Sequence, residues 1–430
     1  MLTVPSAEEA TATYLRRIEE QDGKLGAFIH VDRERALKQA RGIDALAASG
    51  NSLGPLHGKV VAVKDLLSID GMPTLGGSEI DIRDIVPPEG PFVRALRAAG
   101  CVIIGKTRST EFALGTYNLD RRTPWNPSDP NVHRMPGGSS NGSAVATAAG
   151  LCDFAIGSDT GGSVRLPAAL CGVFGFRPSP GLWSIEGVFP LAPLLDTLGP
   201  LTRTAEDTAL VFETLAAQRI PAVRIDRLRL GRPSRMFYDD LDEAVASCMR
   251  EAIARLERAG VQIETVEVPE LDLVDPVFAK MTPADLVATL GRERVMQNLP
   301  RLDSVVRERI AGGLEISASD YVTMVRRCAE LSAAATERMR GFDAWITPTS
   351  PALPIALSEC TTVQAAAAWN RRSLRNTRPA NVFSMCGISL PIGALGSPLP
   401  VGLQLLGACG SDARLHAVAS AVWKALGIGS

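Results

Sequence analysis

The chain has 430 residues, 46% of them hydrophobic and 21% charged, a balance that excludes wholesale disorder. Its 45 Lys and Arg against 47 Asp and Glu leave a net charge of −2, which argues against a nucleic-acid binder held by a basic field. A chain this long buries a large core without needing disulfides or a structural metal.

In chain order, Ser6-Ala-Glu-Glu9 reads as a capping box that opens an acidic amphipathic helix through about Glu20, with no apolar core of a signal peptide. Val60-Val61-Ala62-Val63 is an apolar run without alternation, as expected of a strand buried on both faces. Residues 92–99 predict a helix stopped at Gly100, followed by a strand over Val102–Ile104, which is the rhythm of an α/β fold. Further on, Thr204-Ala-Glu-Asp207 caps a helix, 240–259 forms an amphipathic helix ending at Gly260, and Gln262–Val268 alternates as a strand. Ser319–Arg340 is another long helix. The last zone opens with a strand at Ala344-Trp345-Ile346 and the turn-rich Thr347-Pro-Thr-Ser-Pro351. A basic helix near 364–375, strands at 388–392 and 401–406, and a helix from Asp412 complete the chain. There is no internal repeat, no low-complexity linker and no membrane-spanning run of ~18 apolar residues. One domain over 1–430 is expected, in the cytoplasm.

The eight cysteines form no CxxC pair and the four histidines offer no zinc spacing, so neither a disulfide framework nor a zinc site is expected. Cys152 and Cys171 read as small hydrophobes. Residues 136–181 are the most unusual stretch. Two clusters, Gly137-Gly-Ser-Ser140 and Gly161-Gly-Ser163, flank a small-residue helix and a short apolar strand. Without a Cβ in the way, backbone N–H groups at such glycines can turn inward, and beside a serine they make an oxyanion hole. A single cluster would read as a flexible turn; two joined by a tightly packable segment do not. A serine nucleophile also needs a base. His133 sits in an Asn- and Pro-rich loop expected to face solvent. Lys64 follows the buried strand directly, where desolvation should lower its pKa from ~10.4.

Residues 137–178 resemble the signature of the amidase signature family, the Ser-cisSer-Lys amide hydrolases. Leu56-His-Gly-Lys-Val-Val-Ala-Val-Lys-Asp65 is similar to that family's lysine strand, and Gly71-Met-Pro-Thr-Leu-Gly-Gly-Ser78 to the segment after it. The blocks Gly105-Lys-Thr, Glu111-Phe-Ala-Leu-Gly115 and Asn126-Pro127 follow the same pattern, as do Thr347-Pro-Thr and Leu399-Pro-Val-Gly-Leu-Gln-Leu-Leu-Gly407. The resemblance covers nearly the whole chain and is weakest over about 215–340. It implies a single large α/β/α domain with a mixed central sheet flanked by helices. The catalytic core would span about 55–203 plus 343–430, with a more variable helical region over about 204–340. It implies hydrolysis of a small-molecule amide to a carboxylate plus ammonia or an amine, with no metal or organic cofactor. Residue by residue, Ser163 would be the nucleophile, Ser139 the bridging serine after a cis peptide bond, and Lys64 the base. The N–H groups of Thr160, Gly161, Gly162 and Ser163 would form the oxyanion hole, with Ser140 in support. Asn141 departs from the family's usual Gly or Ser, and Val60 from a frequent Pro. Asp159 and Arg165, which bracket the nucleophile loop, read as an ion pair that braces it.

For the substrate, Tyr117 and Trp125 lie in a block that lines the pocket in this family, with core packing the alternative. Arg371, Arg372, Arg375 and Arg378 form either a solvated helix face or a binding cluster. In the second reading Arg378 forks onto a carboxylate of a small anionic amide. The alternative function is the glutamine-hydrolysing A subunit of a tRNA-dependent amidotransferase, which shares these motifs and needs partner subunits. An inactive receptor-like relative is disfavoured by intact Lys64, Ser139 and Ser163. The expected partner is a small amide, carboxylated if the arginines bind it. Neither nucleic acid nor membrane is expected, and a homodimer is the expected assembly.

Overall fold

The computed structural model describes residues 6–428. Eleven strands are β1 (Phe28–Val31), β2 (Val60–Lys64), β3 (Val102–Thr107), β4 (Phe154–Asp159), β5 (Phe174–Arg177), β6 (Thr197–Thr202), β7 (Arg229–Pro233), β8 (Gln262–Val266), β9 (Ala344–Pro348), β10 (Cys386–Pro391) and β11 (Gly402–Gly407). They form one mixed sheet in the order β1-β3-β2-β4-β6-β5-β10-β11-β9-β7-β8. Strands β3, β2 and β4 run parallel, β6, β5, β10 and β11 pair antiparallel in the middle, and β9, β7 and β8 run parallel at the far edge.

The apolar run at 60–63 behaves as its lack of alternation implies. Every residue of β2 is buried, and successive side chains enter different cores. Val61 and Val63 join the cluster that holds Ile103, Ile156, Phe176 and Leu198. Val60 and Ala62 join the one that holds Val102, Ile104, Ala155 and Leu201. The second core also receives the helix Asn141–Ala148, every residue of which through Thr147 is buried. Small side chains allow this close seat: a Cβ on Gly142 would come 2.6 Å from the Arg108 backbone nitrogen. Val60 donates its N–H to Asp153 Oδ2 at 2.7 Å, a bond that a proline there could not make.

The first helix keeps its capping box but runs to Leu25, where Gly26 ends it in the left-handed conformation, five residues beyond the expected end. Strands β1, β5, β6 and β7 and the helix Arg33–Ala48 had no expectation behind them. All are short or dominated by small and charged residues, so periodicity does not mark them. Strand β8 stops at Val266 and, as an edge strand, exposes most of its length. All eight cysteines are unbridged. Among the described residues no helix is long and apolar enough to cross a membrane.

Candidate active site

Parallel pairing of β2 with β4 brings the carboxyl ends of both strands to the same edge of the sheet, the usual place for a site in an open α/β sheet. Lys64 ends β2; Ser158 and Asp159 end β4. Lys64 is fully buried, and its Nζ lies 2.6 Å from Ser139 Oγ and 2.9 Å from Ser158 Oγ. Burial pushes its ammonium down to about 7, against the opposing pull of Asp196 and Asp159. Ser158 was not among the expected residues, although it directly precedes Asp159 in the same motif.

The peptide bond between Gly138 and Ser139 is cis. Ser140 ties the two serine loops to β4. Its N–H donates to the Ser163 carbonyl at 3.2 Å, its hydroxyl donates to the Ser158 carbonyl at 3.2 Å, and that hydroxyl accepts the Ser158 N–H at 3.3 Å. Asn141 opens the following helix, with its Oδ1 accepting the Gly142 N–H at 2.8 Å.

Asp159 organises the Ser163 loop from beneath. Its carboxylate accepts Arg165 Nη2 and Nε at 2.9 and 3.0 Å, Asn381 Nδ2 at 2.8 Å, and Arg177 Nη1 at 3.3 Å. All three charged side chains are completely buried. Burial alone would raise the Asp159 carboxyl; Arg165 and Arg177 overrule it and hold it well below the usual carboxylate range. The Asp159–Arg165 pair therefore exists, and Arg177, 12 residues further on, makes it a triad. The same carboxylate corrects one expectation: the Gly162 N–H donates to Asp159 Oδ1 at 2.9 Å, so it is engaged in the loop and not left for an oxyanion.

Ser163 is 5% exposed and opens into a narrow recess walled by Thr160, Gly161, Leu191, Phe278, Arg309 and Leu374. The Thr160 hydroxyl is held by Asp196 at 2.5 Å. Gly161 is required by a close neighbour, since a Cβ there would stand 2.7 Å from Phe278 Cε2. Gly162 adopts φ +117°, which disfavours any residue with a Cβ.

Several expected pocket residues lie elsewhere. Tyr117 is core, with its hydroxyl donating to the Cys360 carbonyl at 3.0 Å. Trp125 packs under a loop, its Nε1 donating to the Asp129 carbonyl at 2.8 Å and its ring stacked on His133 at 4.6 Å. That stack leaves His133 partly buried, where a solvent-facing side chain was expected. Of the arginine cluster, Arg372 pairs with Asp242 at 2.7 Å and Arg375 bonds the Asp239 carbonyl, while Arg371 is exposed. Arg378 does reach the cavity wall, but its Nη1 is bound to Asp275 at 2.7 Å. The arginine that shares the recess with Ser163 is Arg309, from the helix Ser304–Gly313. Nothing in Arg307-Glu-Arg309 distinguishes it in the sequence from a solvated charge run.

The site thus sets a buried lysine against two serine hydroxyls, at the carboxyl edge of a mixed α/β sheet and close to a glycine-flanked serine, and the comparisons place the chain among amide hydrolases. The chain belongs to the amidase family, whose description, Amidase, it matches over residues 9–416. It is 36% identical over 418 residues to the 2-amino-5-chloromuconic acid deaminase of Comamonas testosteroni, covering 94% of this chain and 90% of that protein. It is 35% identical to the glutamyl-tRNA(Gln) amidotransferase A subunit of Moorella thermoacetica, covering 95% and 91%. A solved amidase crystal structure superimposes with a TM-score of 0.87 at 30% identity, covering 98% of this chain and 96% of that one. The chain is an amide hydrolase, and its fold is that of the family: one domain with a large mixed sheet flanked by helices.

Proposed function

We propose that this chain hydrolyses a small-molecule amide through an acyl-enzyme on Ser163, with Lys64 and Ser139 carrying the proton. The observation that carries this reading is the buried Lys64 Nζ, 2.6 Å from Ser139 Oγ, where burial pushes its ammonium down to about 7. A buried amine is predominantly neutral just above that pH and can act as a base. Ser163 Oγ attacks the amide carbonyl as its proton passes to Ser139 and the Ser139 proton to Lys64. The tetrahedral oxyanion meets backbone N–H groups of Thr160, Gly161 and Ser163. The relay then returns its proton to the nitrogen as the C–N bond breaks, leaving an ester on Ser163. Water adds to that ester by the same route, and the C–O bond breaks with the proton restored to Ser163. Asp159, Arg165 and Arg177 hold the loop in place, and none of them moves a proton.

The test is ammonia release by the purified chain over a panel of aliphatic, aryl, ureido and carboxylated amides, with Ser163→Ala in parallel. Turnover that survives Ser163→Ala rules the mechanism out. A second reading, the glutamine-hydrolysing component of an amidotransferase, draws on the 35% identity to the Moorella thermoacetica protein. It requires glutamine to be the preferred substrate. A panel member of a further kind is suggested by the deaminase relative: an amino-substituted dicarboxylic acid.

A further inference from the structure

The recess at Ser163 and a larger vestibule of about 290 Å³ share two side chains, Phe278 and Arg309, as common walls. The vestibule collects three guanidinium groups, Arg309, Arg371 and Arg378, against two carboxylates, Asp275 and Glu308. Asp275 is already engaged, 2.7 Å from Arg378 Nη1. Arg378 is fixed further by the Asn370 carbonyl at 3.3 Å and by the Phe278 face, 5.0 Å from its guanidinium carbon.

Arg309 differs. Among the described residues no ion pair includes it, and its hydrogen bond from Nη2 to Thr282 Oγ1, at 3.5 Å, is marginal. Glu308, its neighbour in the chain, is exposed at the outer lip. Burial, and then the like charge of Arg378, pushes the Arg309 guanidinium down to about 9 against the opposing pull of Glu308, so it is still cationic at neutral pH. Its guanidinium is half-buried and in no ion pair among the described residues, so an arriving carboxylate can take it through a forked pair of charge-assisted hydrogen bonds. The inner recess offers no acid of its own: besides the nucleophile loop and Arg309, its walls are Ala113, Leu114, Gly115, Leu191, Phe278 and Leu374. A substrate ammonium at that depth would meet no carboxylate in the lining: beyond the hydroxyls of Thr160 and Ser163 it faces apolar side chains and a like charge.

We propose that Arg309 is the specificity-determining residue of this enzyme, binding a carboxylate on the acyl part of the substrate, so that the preferred substrates are anionic amides without a neighbouring ammonium. The proposal rests on Ser163 as the nucleophile. The acyl part is favoured because it stays on Ser163 through both half-reactions, inside the recess that Arg309 walls.

The test compares succinamate and glutaramate with the neutral butanamide and pentanamide, and glutaramate with glutamine, which differs from it only by the α-ammonium. Wild type should favour the carboxylated amides by about 10²-fold in kcat/KM, the scale of a forked charge-assisted pair. Arg309→Met should bring that ratio near one, mainly through KM, and Arg309→Lys should restore part of it. Glutamine should be turned over more slowly than glutaramate. A wild-type ratio near one, or an Arg309→Met variant that slows both classes equally, overturns the proposal. So does glutamine being the better substrate. Calorimetry with succinate and glutarate on Ser163→Ala, with and without Arg309→Met, keeps the two readings apart. Dicarboxylate binding that needs Arg309, where wild type hydrolyses no amide or its hydrolysis survives Ser163→Ala, refutes the nucleophile and spares the carboxylate site. Amide hydrolysis that needs Ser163 but shows no Arg309-dependent preference does the reverse.

Discussion

Lys64→Met replaces a buried amine by an apolar side chain of similar length and should abolish turnover while making the protein more stable near neutral pH. Burial lowers the lysine from 10.5 to about 7, which corresponds to about 5 kcal/mol of lost stability below pH 7. The sign follows from proton counting. Between pH 7 and 10.5 the unfolded chain holds a proton on this lysine that the folded chain does not, so wild-type stability rises with pH across that window and the penalty is constant below it. Methionine removes the penalty but leaves the Ser139 and Ser158 hydroxyls without their amine partner, at about 1 kcal/mol each. The net gain is about 3 kcal/mol at pH 6.5, or about 3 °C in Tm for 430 residues. It should vanish near pH 9, where about 2 kcal/mol of the penalty is left to balance the lost hydrogen bonds. Calorimetric Tm values for both proteins across that range test this directly. A variant that melts at or below wild type at pH 6.5, or with the same offset at both pH values, refutes the buried, desolvated amine.

The same titration predicts that wild-type kcat/KM falls about tenfold per pH unit below an apparent pKa near 7; a flat profile from pH 5.5 to 8.5 would remove Lys64 as the base. Asp159→Asn leaves Arg165 and Arg177 buried without their anion and should cost about 3–5 kcal/mol in urea unfolding. A loss under about 1 kcal/mol would mean that the triad is not bracing the loop. Gly161→Ala drives a Cβ into the Phe278 ring and should lower kcat/KM by about 10²-fold through displacement of the nucleophile loop. Phe278→Ala in the same chain should recover most of that, and a double variant no better than the single one would locate the defect elsewhere.

Lys64 and the Gly-Ser clusters at Ser139 and Ser163 stand out in the sequence by their immediate neighbours, while the part each would play comes from the family resemblance. A buried strand runs straight into Lys64, and paired glycines precede both serines. The Asp159–Arg165 pair is legible for the same reason, since its members stand six residues apart around one turn. Helix caps at Ser6 and Thr204 likewise follow from residues three apart. Tertiary structure decided what depends on distant segments meeting. Strand pairing set Ser158 beside Lys64, and only the loop geometry turned the Gly162 N–H toward Asp159. Tyr117 and Trp125 looked like pocket residues because an aromatic side chain serves a core and a pocket equally well, and packing alone separates the two. Arg309 lies 146 residues beyond Ser163 in a plain charge run, and reaches the recess because the helices Val274–Leu290 and Ser304–Gly313 pack over the Ser163 loop. Hydrogen-bond reach, backbone dihedrals and hydrophobic runs are local properties that a sequence carries on its face. Which cation comes to face the recess outside any ion pair is a property of the assembled volume, and that volume exists only once the chain has folded.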